Sequence, residues 1–254
     1  MKSKRIDDIG ELVQEKGNVS IKELCEIFGV SKNTIRRDID ELVRNGAVEK
    51  VYGGIRAIKN PLLPFEQRHD QQHLQKKKIG EVASTFIEDD DIIFIDSGTT
   101  TSQIMDHVRD DIRITILTNN LDVINQCTNK PNVTLFVMGS LYKQETRSFV
   151  DMDTNLQNVN FNINKAFIAA TGVSIANGLT NSDPLEYEIK KLICSKTDNL
   201  FLLVDESKFG KSTLLTYCPL EKISVLITSG NVPRDIREFL EEHETDIMQV
   251  DAPK

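Results

Sequence analysis

The sequence predicts an α/β chain of two domains: a small module of two short helices and a hairpin, then a larger body on a mainly parallel sheet. Two observations carry this. Residues 20–54 hold two helical apolar stripes with a glycine between them, then a short alternating stretch closed by Tyr52-Gly53-Gly54. Beyond residue 90, six apolar runs recur, each ending in Gly, Ser, Thr, Asp or Asn and separated by helical or irregular segments. Apolar strands alternating with helices indicate a parallel sheet buried on both faces.

In the small module, Ser20 followed by Glu23 reads as a capping box, each side chain satisfying an orphan amide at a helix start. The helix it opens places Ile21, Leu24 and Phe28 on one face. Gly29 supplies the left-handed residue that ends it, and Ser31 caps the next helix. There Ile35, Ile39, Leu42 and Val43 form one apolar stripe, with Asn33, Arg37 and Arg44 on the opposite side. A helix held by one face and presenting amide and guanidinium groups on the other suits the DNA major groove. Gly46 then stops the helical pattern. Residues 47–51 and 55–58 read as strands around the Tyr52-Gly53-Gly54 turn, which makes the module, residues 1–58, a winged helix-turn-helix.

Within that module Ser31, Asn33, Thr34 and Arg37 are expected to read bases, since asparagine suits adenine and arginine suits guanine. Lys32, Arg36, Lys50 and Tyr52 are expected to hold phosphates, with Arg56 near the backbone or a minor groove. Asp40 and Glu41 follow the arginines, so only the first two turns of the helix should enter the groove. The expected partner is double-stranded DNA.

Composition agrees. The net charge of the 254 residues is −8, with no basic tail, which argues against indiscriminate coating of nucleic acid. Residues 1–58 carry 11 basic and 10 acidic side chains; the rest carries 20 and 29. DNA would repel the acidic body and leave the small module as the favourable contact. Cys25, Cys127, Cys194 and Cys218 lie far apart without a CxxC pair, the pattern of reduced thiols rather than a disulfide framework or zinc site. With no signal peptide and no apolar run of spanning length, the expectation is a cytoplasmic chain without a membrane partner.

Asn60-Pro61-Leu62-Leu63-Pro64 marks the junction, so residues 59–75 read as a linker and 76–254 as the second domain. From 65 to about 87 the pattern is helical, with Ile79, Val82, Ala83 and Phe86 as the inner face. His69 and His73 are spaced to share a metal, but no third ligand stands nearby and none is expected to bind; Lys76, Lys77 and Lys78 read as a solvated patch.

The six apolar runs are 92–96, 114–118, 133–139, 166–172, 200–205 and 225–229. Ligands of open parallel sheets bind beyond the carboxyl ends of the strands, where all the polar punctuation gathers. The strongest candidate is Asp96-Ser97-Gly98-Thr99-Thr100-Thr101, with a glycine for close approach, four hydroxyls and amides at a following helix start, which together suit an anion. It is neither a Walker A loop nor GxGxxG, so no nucleotide cofactor is implied. Its companions are Thr118-Asn119-Asn120, Thr171-Gly172 and the segment from Asp205 to Gly210, where Lys208 is expected to pair with a phosphate and Asp205 to hold it or a sugar hydroxyl.

VSKNTIRRDIDEL followed by KVYGG resembles the N-terminal domain of the DeoR family of bacterial transcriptional regulators. DSGTTT, TNN, ATG and DESKFG resemble that family's C-terminal effector domain, itself similar to sugar-phosphate isomerases of the ribose-5-phosphate isomerase type. The resemblance spans nearly the whole chain. It implies a homo-oligomeric repressor, dimer or tetramer, whose effector is a phosphorylated sugar or sugar acid. Within the family, SKNTIRRDI, FIDSGTTT, NINKAF, GLTNSDPLEYEIKK and SKFGKSTLLTY look like the repressors of myo-inositol catabolism, which implies a phosphorylated keto-deoxy sugar acid. The chain departs from the family pattern at Gly139-Ser140, Asp151 and Thr228-Ser229, and a carboxylate at 151 would oppose an anionic ligand. Two other readings stand beside this one. An isomerase carrying a DNA-binding domain would need a general base, with Asp96, Asp183, Glu186 and Asp205 as candidates. An architectural DNA protein would leave the polar strand ends unexplained.

Overall fold

A computed structural model describes residues 2–44, 48–57, 65, 71–151 and 161–251. The chain forms two compact units, Met1–Pro64 and Phe65–Lys254.

The first unit contains α1 (Lys2–Lys16), β1 (Asn18–Ser20), α2 (Ile21–Phe28), α3 (Lys32–Arg44), β2 (Val48–Val51) and β3 (Gly54–Ala57). The strands form an antiparallel sheet in the order β1-β3-β2. Ile6, Ile9 and Val13 of α1 close one core with Val19, Leu24, Ile35, Ile39, Leu42, Val48 and Ile55. Helix α1 and strand β1 complete this core beyond the expected helix pair and hairpin. Ser20 accepts from the Glu23 amide at 3.1 Å, but the Glu23 carboxylate turns to Lys16 at 2.6 Å, so only half of the expected capping box forms. Gly29 ends α2 at φ 65°, its amide donating to the Cys25 carbonyl. Ser31 accepts from the Thr34 amide at 3.3 Å and caps α3 as expected. Asp38, on the buried side of α3, is held by Arg5 of α1 through bonds of 2.8 and 3.3 Å. Gly46, Ala47 and Ile58 lie outside the described residues, as do Asn60 to Pro64 and His69.

The second unit is built on β4 (Ile92–Ile95), β5 (Ile114–Thr118), β6 (Val133–Val137), β9 (Lys165–Ile168), β12 (Leu200–Asp205), β14 (Val225–Ser229) and β15 (Asp246–Val250). They form one sheet ordered β15-β14-β12-β9-β4-β5-β6, with every adjacent pair parallel. Side chains alternate between its faces. Phe94, Ala166, Ile168, Leu202 and Leu226 pack with α6 (Pro184–Lys196) and α7 (Arg234–Glu242); Ile93, Ile95, Phe167, Phe201 and Leu203 pack with α4 (His73–Ser84), α5 (Leu121–Cys127) and the 3-10 turn Thr101–Asp106. A hairpin, β7 (Leu141–Lys143) with β8 (Ser148–Val150), and a small antiparallel sheet of β10 (Gly172–Ser174), β11 (Gly178–Asn181) and β13 (Leu215–Cys218) sit outside the main sheet.

Several expectations change here. The sheet has a seventh strand, β15; it is an edge strand with only part of its surface covered, so it carries no continuous apolar run. Of the helix expected over 65 to about 87, Phe65 is helical, residues 66–70 lie outside the described residues, and a separate helix runs His73–Ser84, set off by Gln72 at φ 53°. Lys76 is 4 % exposed, not part of a solvated patch, because it lies on the face of α4 turned to the sheet. The apolar run 166–172 is divided between β9 and β10, which belong to different sheets.

The chain order of the main sheet reverses between β4 and β9: from β4 it proceeds outward through β5 and β6, then returns on the other side to β9, β12, β14 and β15. Such a reversal opens a crevice at the carboxyl ends of the two strands. The loops after β4 and β9 meet there.

Candidate functional sites: a nucleic-acid face and a ligand crevice

On the first unit, burial of Ile35, Asp38, Ile39 and Leu42 turns Lys32, Asn33, Arg36 and Arg37 outward, all exposed. Among the described residues Lys32, Arg36 and Arg37 form no ion pair, so their charge is available to a polyanion. Ser31 and Thr34, exposed and half-buried, bond one another through their hydroxyls at 3.0 Å at the start of α3. Tyr52 projects fully from the wing turn. Lys50 and Arg56 are exposed but paired, Lys50 with Asp40 at 2.5 Å and Arg56 with Glu49 at 2.6 Å. A phosphate at Lys50 therefore competes with the acidic end of α3. The Arg44 side chain lies outside the described residues.

On the second unit, Asp96 follows β4 directly with its side chain buried. Its Oδ2 accepts from the Ala169 amide at 3.0 Å and pairs with the Lys190 ammonium, which also donates to the Ala169 carbonyl at 2.8 Å. The Tyr217 hydroxyl donates to the same carbonyl at 2.9 Å, and burial pushes its pKa well above the ordinary value, keeping it a neutral donor. A Cβ on Gly98 would stand 2.6 Å from the Ala169 Cβ, so only glycine lets the loop lie this close to the end of β9. The one proton of the Thr101 hydroxyl is shared between the Asp96 and Gly98 carbonyls, 2.7 and 2.9 Å away, and Asn120 donates to the Asp96 carbonyl at 3.1 Å. Thr118 donates to the Ile95 carbonyl at 2.6 Å.

These bonds divide the expected ligand residues. Asp96, Thr101 and Thr118 spend their side chains on shaping the loop. Thr99 and Thr100 are buried, and among the described residues their hydroxyls bond no other protein group; nor do the amides of Gly98, Thr99 and Thr100 bond a backbone carbonyl. Asn119 donates to the Phe149 carbonyl at 3.2 Å and keeps a buried side-chain oxygen without a partner among the described residues. What remains is a set of donors around a glycine, with one acceptor nearby in the fold. Such a set suits an oxyanion carried by a hydroxylated molecule.

Gly172 lies where β10 meets the 211 carbonyl, 2.5 Å from any added Cβ; the close backbone approach is itself a structural reason for glycine. Asp205 caps a short turn, accepting from the Ser207 amide at 3.0 Å, and its Oδ2 stands 3.9 Å from the Lys208 ammonium. Both lie at the end of β12, beside β9. Ser140 and Asp151, two of the departures, pair with each other: Asp151 Oδ1 accepts from the Ser140 amide at 3.0 Å and hydroxyl at 2.6 Å. The expected opposition of Asp151 to an anion is thus weakened, since its carboxylate is engaged, and its backbone does not take positive φ.

Lys190 is not among the residues expected at this site, and Glu186 is expected there only as a candidate general base. Lys190 fixes Asp96, and Glu186, one turn earlier, accepts from Ser97 at 2.8 Å, Ser148 at 2.9 Å and Asn181 at 3.3 Å. Asp183 caps the same helix and pairs with Lys143. The signal was the spacing 183, 186, 190 in DPLEYEIKK, which lines one helix face with charge. No described helix is long and apolar enough to cross a membrane.

Residues 5–60 match the model of the DeoR-like helix-turn-helix domain, and residues 71–230 that of the DeoR C terminal sensor domain. The chain is 50% identical to the HTH-type transcriptional regulator IolR of Bacillus subtilis, covering 97% of this chain and 99% of that one. It is 30% identical to the lactose phosphotransferase system repressor of Staphylococcus epidermidis, over 89% of this chain and 92% of the other. The L-fucose operon activator of Haemophilus influenzae is 27% identical, over 94% and 95%. Among solved structures, ribose 5 phosphate isomerase A from Neisseria gonorrhoeae has a TM-score of 0.41 at 16% identity, over 58% of this chain and 57% of that one.

Proposed function

The chain belongs to the DeoR family of transcriptional regulators, and we propose that it is the repressor of a sugar or polyol catabolic operon, that of myo-inositol, released from its operator by a phosphorylated sugar acid. The observation that carries this reading is the 50% identity to a transcriptional regulator through both the DNA-reading unit and the sensor unit. The inositol pathway is supported by the motifs that resemble repressors of that pathway. Repression rather than activation is our choice of sign, and relatives of both kinds exist.

In this reading Asn33, Thr34, Ser31 and Arg37 read bases, while Lys32, Arg36, Lys50 and Tyr52 hold phosphates. The hydroxyls of Ser97, Thr99 and Thr100 and the amides of Gly98 to Thr100 receive the phosphate, inside a loop shaped by Asp96, Thr101 and Thr118. Asn119 and Asp205 take sugar hydroxyls, with Lys208 adding charge and Gly172 leaving room beside β10. A homo-oligomer sets two α3 helices on half-sites one helical turn or a multiple apart, ~34 Å. The protein works in the cytoplasm, where the DNA is.

A sensor rather than an isomerase is favoured by the carboxylates. Asp96 is paired with Lys190, Asp183 caps α6, Glu186 accepts three hydrogen bonds and Asp205 caps a turn. Each considered base is tied into the scaffold. Thermal denaturation against a panel of sugar phosphates tests the proposal. A phosphorylated keto-deoxy sugar acid should raise the melting temperature with concentration, as any ligand of the native state does. A shift only with an unrelated sugar phosphate would remove the inositol pathway; none at all would remove the phosphate loop.

A further inference from the structure

The hairpin of β7 and β8 joins two things the proposed function leaves unconnected. Along β8, Asn119 and Phe149 exchange backbone and side-chain bonds of 2.7 and 3.2 Å, and beside the turn Leu121 donates to the Arg147 carbonyl at 3.0 Å. Ser148 reaches Glu186, whose Oε1 also receives the Ser97 hydroxyl of the crevice loop. At its tip, the Glu145 carbonyl accepts from the Phe65 amide at 3.1 Å, and the Arg147 guanidinium lies 5.6 Å over the Phe65 ring. Asp122 pairs with that guanidinium. Phe65 is 3 % exposed and is the first residue of the second unit, so the covalent path from the DNA-reading unit enters here.

We propose that this hairpin is the transmission element of the regulator, with Glu186 as the positioning residue through which occupancy of the crevice loop reaches Phe65. This rests on the proposed sensor reading. The chemistry is a competition for one proton. A serine hydroxyl donates once. The Ser97 hydroxyl gives its proton to Glu186 at 2.8 Å, with Asp96 Oδ1 a weaker alternative at 3.5 Å. Glu186 is buried, and among the described residues it has only neutral donors and no cation. An oxyanion that takes the Ser97 proton removes one of those donors and sets a like charge beside the carboxylate. Buried carboxylates tolerate neither change without rearrangement. The remaining bond on Oε1 comes from Ser148, so the adjustment passes into β8 and along the hairpin to its tip.

The test is hydrogen exchange in the full chain, read at the Phe65 amide. Ser97→Ala withdraws the donor without any ligand and should speed that exchange about tenfold, the scale of one hydrogen bond. Ser207→Ala, which removes a hydroxyl donor to Asp205 at the end of β12, should leave it unchanged. A second measurement uses Phe65→Trp as the sole tryptophan of a chain that has none. Ser97→Ala in that background should shift its emission to the red. Phosphorylated keto-deoxy sugar acid should do the same in the parent, and Ser148→Ala should lose that response while keeping the ligand's thermal shift. Unchanged exchange and emission in Ser97→Ala would overturn the proposal, as would a ligand response that survives Ser148→Ala. A Ser97→Ala effect without any thermal shift from the sugar acid would support the transmission element and overturn the sensor reading instead.

Discussion

Taking away the Lys190 ammonium would strand the Asp96 carboxylate in an interior where both side chains are at most 5% exposed. Lys190→Ala is therefore expected to cost about 3–5 kcal/mol in chemical denaturation, the range for breaking a buried pair. A loss below about 1 kcal/mol would mean the pair is solvated. Arg37 poses the opposite case. It is exposed and without an ion pair among the described residues, so Arg37→Ala should leave stability unchanged within about 0.5 kcal/mol. On DNA the same change should cost about 1–3 kcal/mol and relax preference at one base pair; equal losses on all sequences would make it a phosphate contact. The contrast follows from surroundings, not residue type.

The loop from Asp96 to Thr101 divides its labour in a way that mutation can separate. Thr99→Val with Thr100→Val removes hydroxyls that hold no protein group, so folding and DNA binding should persist while the sugar-acid thermal shift disappears. A retained shift would move the phosphate elsewhere. Elements of this kind were legible to unequal degrees. Strands buried on both faces announced themselves as apolar runs, and the stripe of Ile35, Ile39 and Leu42 with its caps gave α3 and its exposed side. The edge strand β15 did not, because three of its five side chains, Asp246, Met248 and Gln249, are exposed and only Ile247 and Val250 are partly covered. Nor did the roles of Glu186 and Lys190, which arise only when α6 folds across the end of β4. Sequence spacing shows that the two share a helix face; it does not show that a buried loop lies opposite.

At the scale of the molecule, net charge favours DNA contact through the module with outward arginines over contact through the acidic body. An effector alters that binding only by its different affinity for two arrangements of the protein. The comparison that decides this is the affinity of the full chain for a DNA fragment from upstream of the inositol catabolic genes, followed by fluorescence anisotropy with and without the phosphorylated keto-deoxy sugar acid. Our account predicts specific binding that weakens about 5–150-fold when the sugar acid is added, the usual span of allosteric coupling. Binding that is specific but indifferent to the sugar acid, or strengthened by it, would contradict it.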